Sequence, residues 1–293
     1  MTILVTGSTG NIGSQVLAHL QGQGAEVRAL TRTPEKARLP AGVTAVKGDL
    51  AEPDSLREAL VGVSTMFLMV PNVADELTQA MLALNVARDV GLKGVVYLSV
   101  FGSEEYADVP HFTGKHAVER MIEQGHLPVT VLRPAYFIQN DARQKDALVK
   151  QGVYGMPVGH KGISMVDTRD IGAAAASELL RRERSATPLG AEVYDLVGPD
   201  ALTGEGLAAI WSEVLGRPIR YGGDDLDALE KRMKAFDQGW HAYDIKLMFR
   251  RYQTDGAVAS AAGVRRLEGL LGRPPRSYRE FAKESAEQWK VPG

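Results

Sequence analysis

The sequence predicts a doubly wound α/β fold, a parallel sheet covered by helices on both faces, with a smaller, mixed C-terminal subdomain built onto it. Three observations predict it. Short apolar runs alternate with segments of helical spacing through the first half of the chain, which is how strands buried on both faces read. The first of these runs breaks into three glycines at a spacing of three and opens straight into a helix. The second half loses the regular alternation, so the chain divides into a dinucleotide-binding part, 1–152, and a substrate or lid part, 153–293, whose strands are free to return to the sheet.

The elements follow in order. "TILVTG" is an apolar strand, and "SQVLAHLQGQG" places Val16, Leu17 and Leu20 on one helical face. "EVRALTR" is a second strand and "VTAVKGDL" a third. "EPDSLREALVGV" reads as a helix with Asp54 or Ser55 placed to cap it. "TMFLMVP" is a fourth strand, stopped by Pro71. A long helix, "ADELTQAMLALNVARDVG", leads to "KGVVYLSVFG", the fifth strand. "HFTGKHAVERMIEQG" is then helical and "PVTVLRPAYF" a strand. In the second half, "GISMVDTRDIGAAAASELL" reads as a strand or bend and then a helix begun at Asp170, with Asp167 in the turn. "EVYDLVGPDALTGEGLAAIWSEVLGRPIRY" reads as strand, turn, helix and strand, and residues 223–252 as a charged helical segment carrying aromatic residues.

Composition narrows the chemistry. The chain has 293 residues and no cysteine, so disulfides, thiolate metal sites and cysteine nucleophiles are excluded. A formal charge of -2 gives no electrostatic footprint for nucleic acid or an anionic membrane. No apolar run approaches the ~20 residues that span a bilayer. No targeting pattern precedes the first strand, and the expectation is a cytoplasmic protein. His19, His126 and His160 show no metal-ligand spacing, so no metal site is expected.

The glycine turn carries the strongest functional signal. Gly7, Ser8, Thr9, Gly10, Asn11, Ile12 and Gly13 follow a strand and open a helix, within a βαβ unit of about 30 residues, as a Rossmann dinucleotide fingerprint requires. Gly7 allows the sharp turn, Gly10 lets the backbone approach a pyrophosphate, and Gly13 seats the helix close to the strand. The second strand ends at Arg32, with Lys36 one turn on, where an NAD-binding chain carries an acid for the ribose 2′-hydroxyl. A guanidinium there suits a 2′-phosphate, so NADP is expected over NAD. Asp49 and Leu50 after the third strand are placed to meet the adenine. Val70 and Pro71 end the fourth strand, and Ser99, Val100 and Phe101 end the fifth, at the mouth where a ligand crevice opens.

The ordered set "GSTGNIG", "VRALTR", "KGDL", "HFTGKHAVERMI" and "PVTVLRPAYFIQN" resembles the NmrA-like branch of the atypical short-chain dehydrogenases/reductases. "MVDTRDIGAAAASELL", "YDLVGPDALTGEGLAAI" and "GRPPRSYREFAKESAEQW" extend the resemblance over nearly the whole chain. It implies NADP(H) binding and, in several members, reduction of a quinone, dye or other conjugated molecule. Other members are redox sensors that bind the dinucleotide without chemistry.

Typical short-chain dehydrogenases place Tyr-x-x-x-Lys on the helix after this strand. Here His111-x-x-x-Lys115 stands in that segment, two side chains on one helical face if the helix already begins at His111. Lys115 keeps the cation and donors that hold a nicotinamide ribose. His111 is a candidate proton donor or a lid residue on the preceding loop. Tyr106 lies nine residues from Lys115 and does not restore the motif. Pro134 and Tyr136, where the chain bends over the crevice, are further coenzyme contacts. Phe101, His111, Tyr136, Phe137, Trp240 and His241 make up the expected acceptor pocket. Two further readings stand beside reduction of a conjugated acceptor: a non-catalytic NADP(H) sensor acting through a protein partner, and an isomerase or lyase with bound coenzyme. The sequence leaves a homodimer open.

Overall fold

Seven strands join in one parallel sheet in the computed structural model, which describes residues 1–289. In order come β1 (Thr2–Val5), α1 (Asn11–Leu20), β2 (Glu26–Thr31), a 3₁₀ turn (Pro34–Lys36), β3 (Val43–Lys47), α2 (Pro53–Ala59), β4 (Thr65–Leu68), α3 (Glu76–Asp89), β5 (Gly94–Leu98), α4 (Pro110–Gln124) and β6 (Val129–Pro134). Two irregular helical turns, Ile138–Gln144 and Ala147–Gln151, lead into β7 (Val153–Tyr154), α5 (Thr168–Arg184), β8 (Glu192–Leu196), α6 (Gly204–Leu215) and β9 (Arg220–Tyr221). Four helices complete the described chain: α7 (Leu226–Met233), α8 (Gly239–Thr254), α9 (Ala261–Leu271) and α10 (Tyr278–Trp289).

The strand order is β3-β2-β1-β4-β5-β6-β8. The chain therefore builds outward from β1 in one direction and restarts at β4 in the other. This reversal leaves a crevice beyond the carboxyl ends of β1 and β4, where doubly wound sheets take their ligands. β1, β4 and β5 are buried at every residue, which explains their unbroken apolar runs. One face of the sheet packs on α1, α5 and α9 through Val16, Leu17, Ile171, Leu179 and Leu267. The other packs on α2, α3 and α4 through Leu56, Leu84, Val118 and Ile122. A third core, around Trp211, Tyr154, Phe249, Tyr252 and Phe281, lies mainly in the C-terminal half and takes in Tyr106, Phe112 and Tyr136 from the first.

That third core encloses a carboxyl group. Asp141 is fully buried and accepts hydrogen bonds from the hydroxyls of Tyr154 and Tyr278 at 2.8 and 2.6 Å. Trp211 Nε1 donates to the Tyr278 oxygen at 3.0 Å. Burial pushes the Asp141 carboxyl up to about 6, against the hydrogen bonds from Tyr278 and Tyr154.

Two local expectations need correction. α2 is not capped by Asp54 or Ser55: it begins at Pro53, whose fixed φ suits a first helical residue. The Ser55 hydroxyl instead accepts from the Asp49 amide at 3.0 Å, and Asp54 pairs with Arg57. α5 begins two residues earlier than Asp170. Asp167 is its cap, accepting from the Arg169 amide at 2.8 Å, while the wholly buried Asp170 holds Arg273 and Arg276. The stretch before α5 makes only single bridges, one of them between Val166 and Phe137. The second half does return to the sheet: β8 pairs with β6 from Thr130 opposite Glu192 to Pro134 opposite Leu196.

Candidate active site

The glycine turn sits at the reversal of strand order. Gly7 has φ +58°, a left-handed conformation that favours glycine, and its carbonyl accepts from the Gly10 amide at 3.0 Å. A Cβ on Gly13 would stand 2.2 Å from the Gly7 carbonyl oxygen. Only glycine lets α1 start this close to β1. Gly10 precedes the helix in extended conformation, and no side chain caps the helix. The amides of Asn11, Ile12 and Gly13 therefore face outward with the positive end of the helix dipole, ready for an anion. Thr6 braces the turn across the crevice: its hydroxyl accepts from the Met69 amide at 2.8 Å and donates to the Met69 carbonyl at 2.9 Å. Ser8 is buried and Ile12 is part of the core, so Ile12 offers its backbone rather than its side chain. Thr9 and Asn11 are exposed.

At the end of β2, Arg32 and Lys36 are exposed and pair with no carboxylate among the described residues. Arg38 is a third such cation on the same loop, missed in the sequence although it lies only six residues after Arg32. Unpaired cations beside an uncapped helix start are what a 2′-phosphorylated dinucleotide requires, and the residues fit that cofactor. Asp49 is half-buried and closes its own turn, Oδ1 accepting from the Ala51 amide at 3.0 Å. The Leu50 side chain is not free to face an adenine. It is packed in the core with Leu30 and Val70, because the chain turns inward after β3. Val70 is likewise core, while Pro71 is exposed at the crevice mouth.

The other end of the crevice lies beyond β5. α4 begins at Pro110, so His111 is in its first turn and shares a face with Lys115. Lys115 Nζ lies 2.6 Å from Glu76 Oε1 and donates to the Leu98 carbonyl at 3.2 Å, which fixes it at the end of β5 with one donor to spare. His111 Nδ1 lies 2.5 Å from Asp244 Oδ2, and the His111 backbone amide donates to Asp244 Oδ1 at 3.1 Å. Asn72 Nδ2, just past β4, donates to Asp244 Oδ2 at 3.2 Å. Asp244 is 1% exposed. Burial opposes its ionisation, but the bonds from His111 and Asn72 hold its carboxyl below the usual range.

Other expected contacts fall differently. The Ser99 hydroxyl is buried and bonded to Glu119, which also binds Arg133 at 2.5 Å, so it faces the protein interior rather than a ligand. Val100 and Phe101 are half-buried, and the Phe101 amide donates to the Pro134 carbonyl at 2.9 Å. Tyr136 belongs to the third core, edge-on to Phe249 and Tyr252, and burial pushes its phenol well above the usual range. Phe137 packs on the opposite core. Tyr106 donates to the Gly256 carbonyl inside the third core. His241 pairs with Asp237 at 2.5 Å and closes the α7–α8 turn. Trp240 is 39% exposed and precedes Asp244 by one turn of α8, so it stands on the Asp244 side of that helix. Asp244, Asn72 and Glu76 were not found in the sequence: Asp244 is 133 residues from His111, and no local pattern links them. A separate cleft of about 920 Å³ lies at the far end of α1 from the glycine turn, along α5. Two of its arginines, Arg273 and Arg276, are tied to Asp170.

Strand order, glycine turn and crevice together define a dinucleotide-binding protein of the doubly wound class. Within that class the chain belongs to the NmrA-like family, whose model matches residues 1–264. An NAD(P)H azoreductase of Xenophilus azovorans is 31% identical over 288 residues, spanning 97% of this chain and 98% of its own. The Citrobacter sp. triphenylmethane reductase, solved with NADP(H), superposes with a TM-score of 0.83 at 25% identity, covering 97% of this chain and 99% of that one. The Escherichia coli NADPH-dependent quinone oxidoreductase, solved with NADPH, shares the fold with a TM-score of 0.84 at 23% identity, covering 96% and 99%. No helix among the described residues is long and apolar enough to cross a membrane.

Proposed function

We propose that the protein is an NADPH-dependent oxidoreductase that reduces a small conjugated acceptor, such as a quinone, a dye or an enone, in the cytoplasm. What carries this reading is the crevice itself: an uncapped helix start at the glycine turn, with Arg32, Lys36 and Arg38 unpaired at one end and Lys115 fixed at the other. The azoreductase, dye reductase and quinone reductase among its relatives support the same chemistry.

The coenzyme, once bound, supplies a hydride. The chain's own groups do the rest. The α1 amides and the loop cations bind the phosphates. Lys115, held by Glu76 and the Leu98 carbonyl, offers its remaining N–H to the nicotinamide ribose. Pro71 and Phe101 border the mouth, and Trp240 offers an aromatic face to a planar acceptor. A conjugated acceptor spreads the charge it gains, so this chain can dispense with the Tyr-x-x-x-Lys tyrosine that alcohol chemistry uses.

The test follows NADPH absorbance under anaerobic conditions with a panel of quinones, azo dyes, triarylmethane dyes and enones. Acceptor-dependent oxidation of NADPH in at least one class is expected. Tight NADPH binding with no turnover on any of them would remove the reductase reading.

A further inference from the structure

Resting on the reductase reading, we propose that Asp244 is a positioning residue that aims His111 at the acceptor, making His111 Nε2 the source of the proton that completes reduction. The geometry is specific. Asp244 receives both the Nδ1 edge and the backbone amide of His111, at 2.5 and 3.1 Å, and Asn72 steadies the same carboxylate from the end of β4. The carboxylate is buried and His111 Nδ1 is closed off from solvent, its one near partner being the Asp244 carboxylate at ion-pair distance, while no hydrogen bond or ion pair among the described residues engages Nε2. The ring can therefore meet an incoming molecule only through Nε2. The neighbouring charges on α4 and α3, Lys115 and Glu76, are already paired with each other. Trp240, one turn before Asp244 on α8, brings a half-exposed aromatic face to the same side.

The proton accounting closes. The coenzyme would supply a hydride to one atom of an acceptor X=Y, and Y must then take up a proton from elsewhere. The proton comes from the Nε2–H bond of the His111 imidazolium, whose electron pair stays on Nε2. The ring that remains is neutral and carries its hydrogen on Nδ1, the tautomer in which Nδ1–H donates to Asp244. The same carboxylate thus holds the ring in the same orientation before and after the transfer, and solvent returns the proton to Nε2. α8 contributes this group from the C-terminal half, so the acceptor end of the site is assembled from both halves of the chain.

The test uses Asp244→Asn, Asp244→Ala and His111→Gln in the full-length protein, with three readouts. Binding of NADPH, followed by fluorescence titration, is expected to stay within about threefold of wild type. The ¹⁵N spectrum of the His111 ring in the coenzyme-free protein is expected to show the Nδ1–H tautomer when neutral, and Asp244→Ala to shift it toward Nε2–H. With an acceptor that the wild type reduces, kcat is expected to fall about 10–100-fold in both Asp244 variants at little change in KM, the scale of a lost or misaligned general acid. An unchanged tautomer in Asp244→Ala overturns the proposal, and so does wild-type kcat in His111→Gln. A wild type that binds NADPH and reduces no acceptor overturns the reductase reading instead, and the tautomer readout still decides whether Asp244 aims His111.

Discussion

A Cβ on Gly13 would overlap the Gly7 carbonyl oxygen at 2.2 Å and the Ser8 Cα at 2.7 Å, both backbone atoms with nowhere to move. Gly13→Ala must therefore push α1 away from the turn. A loss of about 2–3 kcal/mol in stability is expected, the usual scale of overpacking, with NADPH affinity falling at least tenfold because the α1 amides move with the helix. Denaturant unfolding and fluorescence titration measure the two effects. Arg32 makes a different prediction, since its side chain is exposed and pairs with no carboxylate among the described residues. Arg32→Ala is expected to leave stability unchanged and to weaken NADPH, but not NADH, by about 10–100-fold, the worth of one charge-assisted phosphate contact. Equal losses for both coenzymes would place the 2′-phosphate elsewhere. The close approach at Gly13 and the exposure of Arg32 were legible in the sequence because both are local: a tight turn needs glycine, and an arginine after a strand end turns outward. Leu50 and Ser99 were not, because a position at a strand end says nothing about which way the side chain turns.

Helix starts repeat this lesson one level up. The existence and order of α1 through α6 follow from apolar spacing, and the sequence reads them without the structure. Their caps do not follow as simply. Asp167 and Asp170 both stand where a cap is plausible, and the choice depends on Arg273 and Arg276, more than 100 residues away. The Asp170 side chain has no exposed surface, and it takes a hydrogen bond from the Arg276 amide at 2.7 Å besides the two guanidinium contacts. It fastens the segment after α9 to the start of α5, so Asp170→Asn should loosen α9 and α10 without touching the crevice. Removing one member of such a pair is costly, but Arg273 and Arg276 are partly exposed and can turn to water, which limits the loss to about 2 kcal/mol. A lower unfolding midpoint with unchanged NADPH affinity is the expected result. Changed affinity would mean that α5 transmits strain to the glycine turn through the close packing of Gly172 on Gln15, where a Cβ would meet Gln15 Cβ at 2.5 Å.

At the scale of the whole molecule, the division at residue 152 describes the sequence better than the structure. β8 and α5 complete the sheet and its covering layer, while the third core gathers residues from Tyr106 to Phe281. The sequence could not show this, because contacts across such separations leave no periodic trace. Asp141 lies at the centre of that core and gives it a pH signature. Its carboxyl rises from 3.8 to about 6 on folding, chiefly through burial, so the folded state binds a proton that the unfolded state has released. Between those two values the folded chain holds more protons, and stability falls as pH rises. The stabilisation from the protonated group is complete below about pH 4 and lost above about pH 6, on the order of 3 kcal/mol in all. Asp167 and Asp244, whose carboxyls are held low, act in the opposite sense at lower pH, so the wild-type curve alone does not isolate the effect. The difference between wild type and Asp141→Asn does. Asn stays neutral and still meets the Tyr154 and Tyr278 hydroxyls, so the variant is expected to gain on wild type steadily from pH 4 to 6 and to keep that gain at pH 7 to 8. Urea unfolding of both proteins across this range measures it. A constant difference between the two curves would mean that Asp141 is ionised in the folded state throughout, paired within the tyrosine cluster rather than neutral.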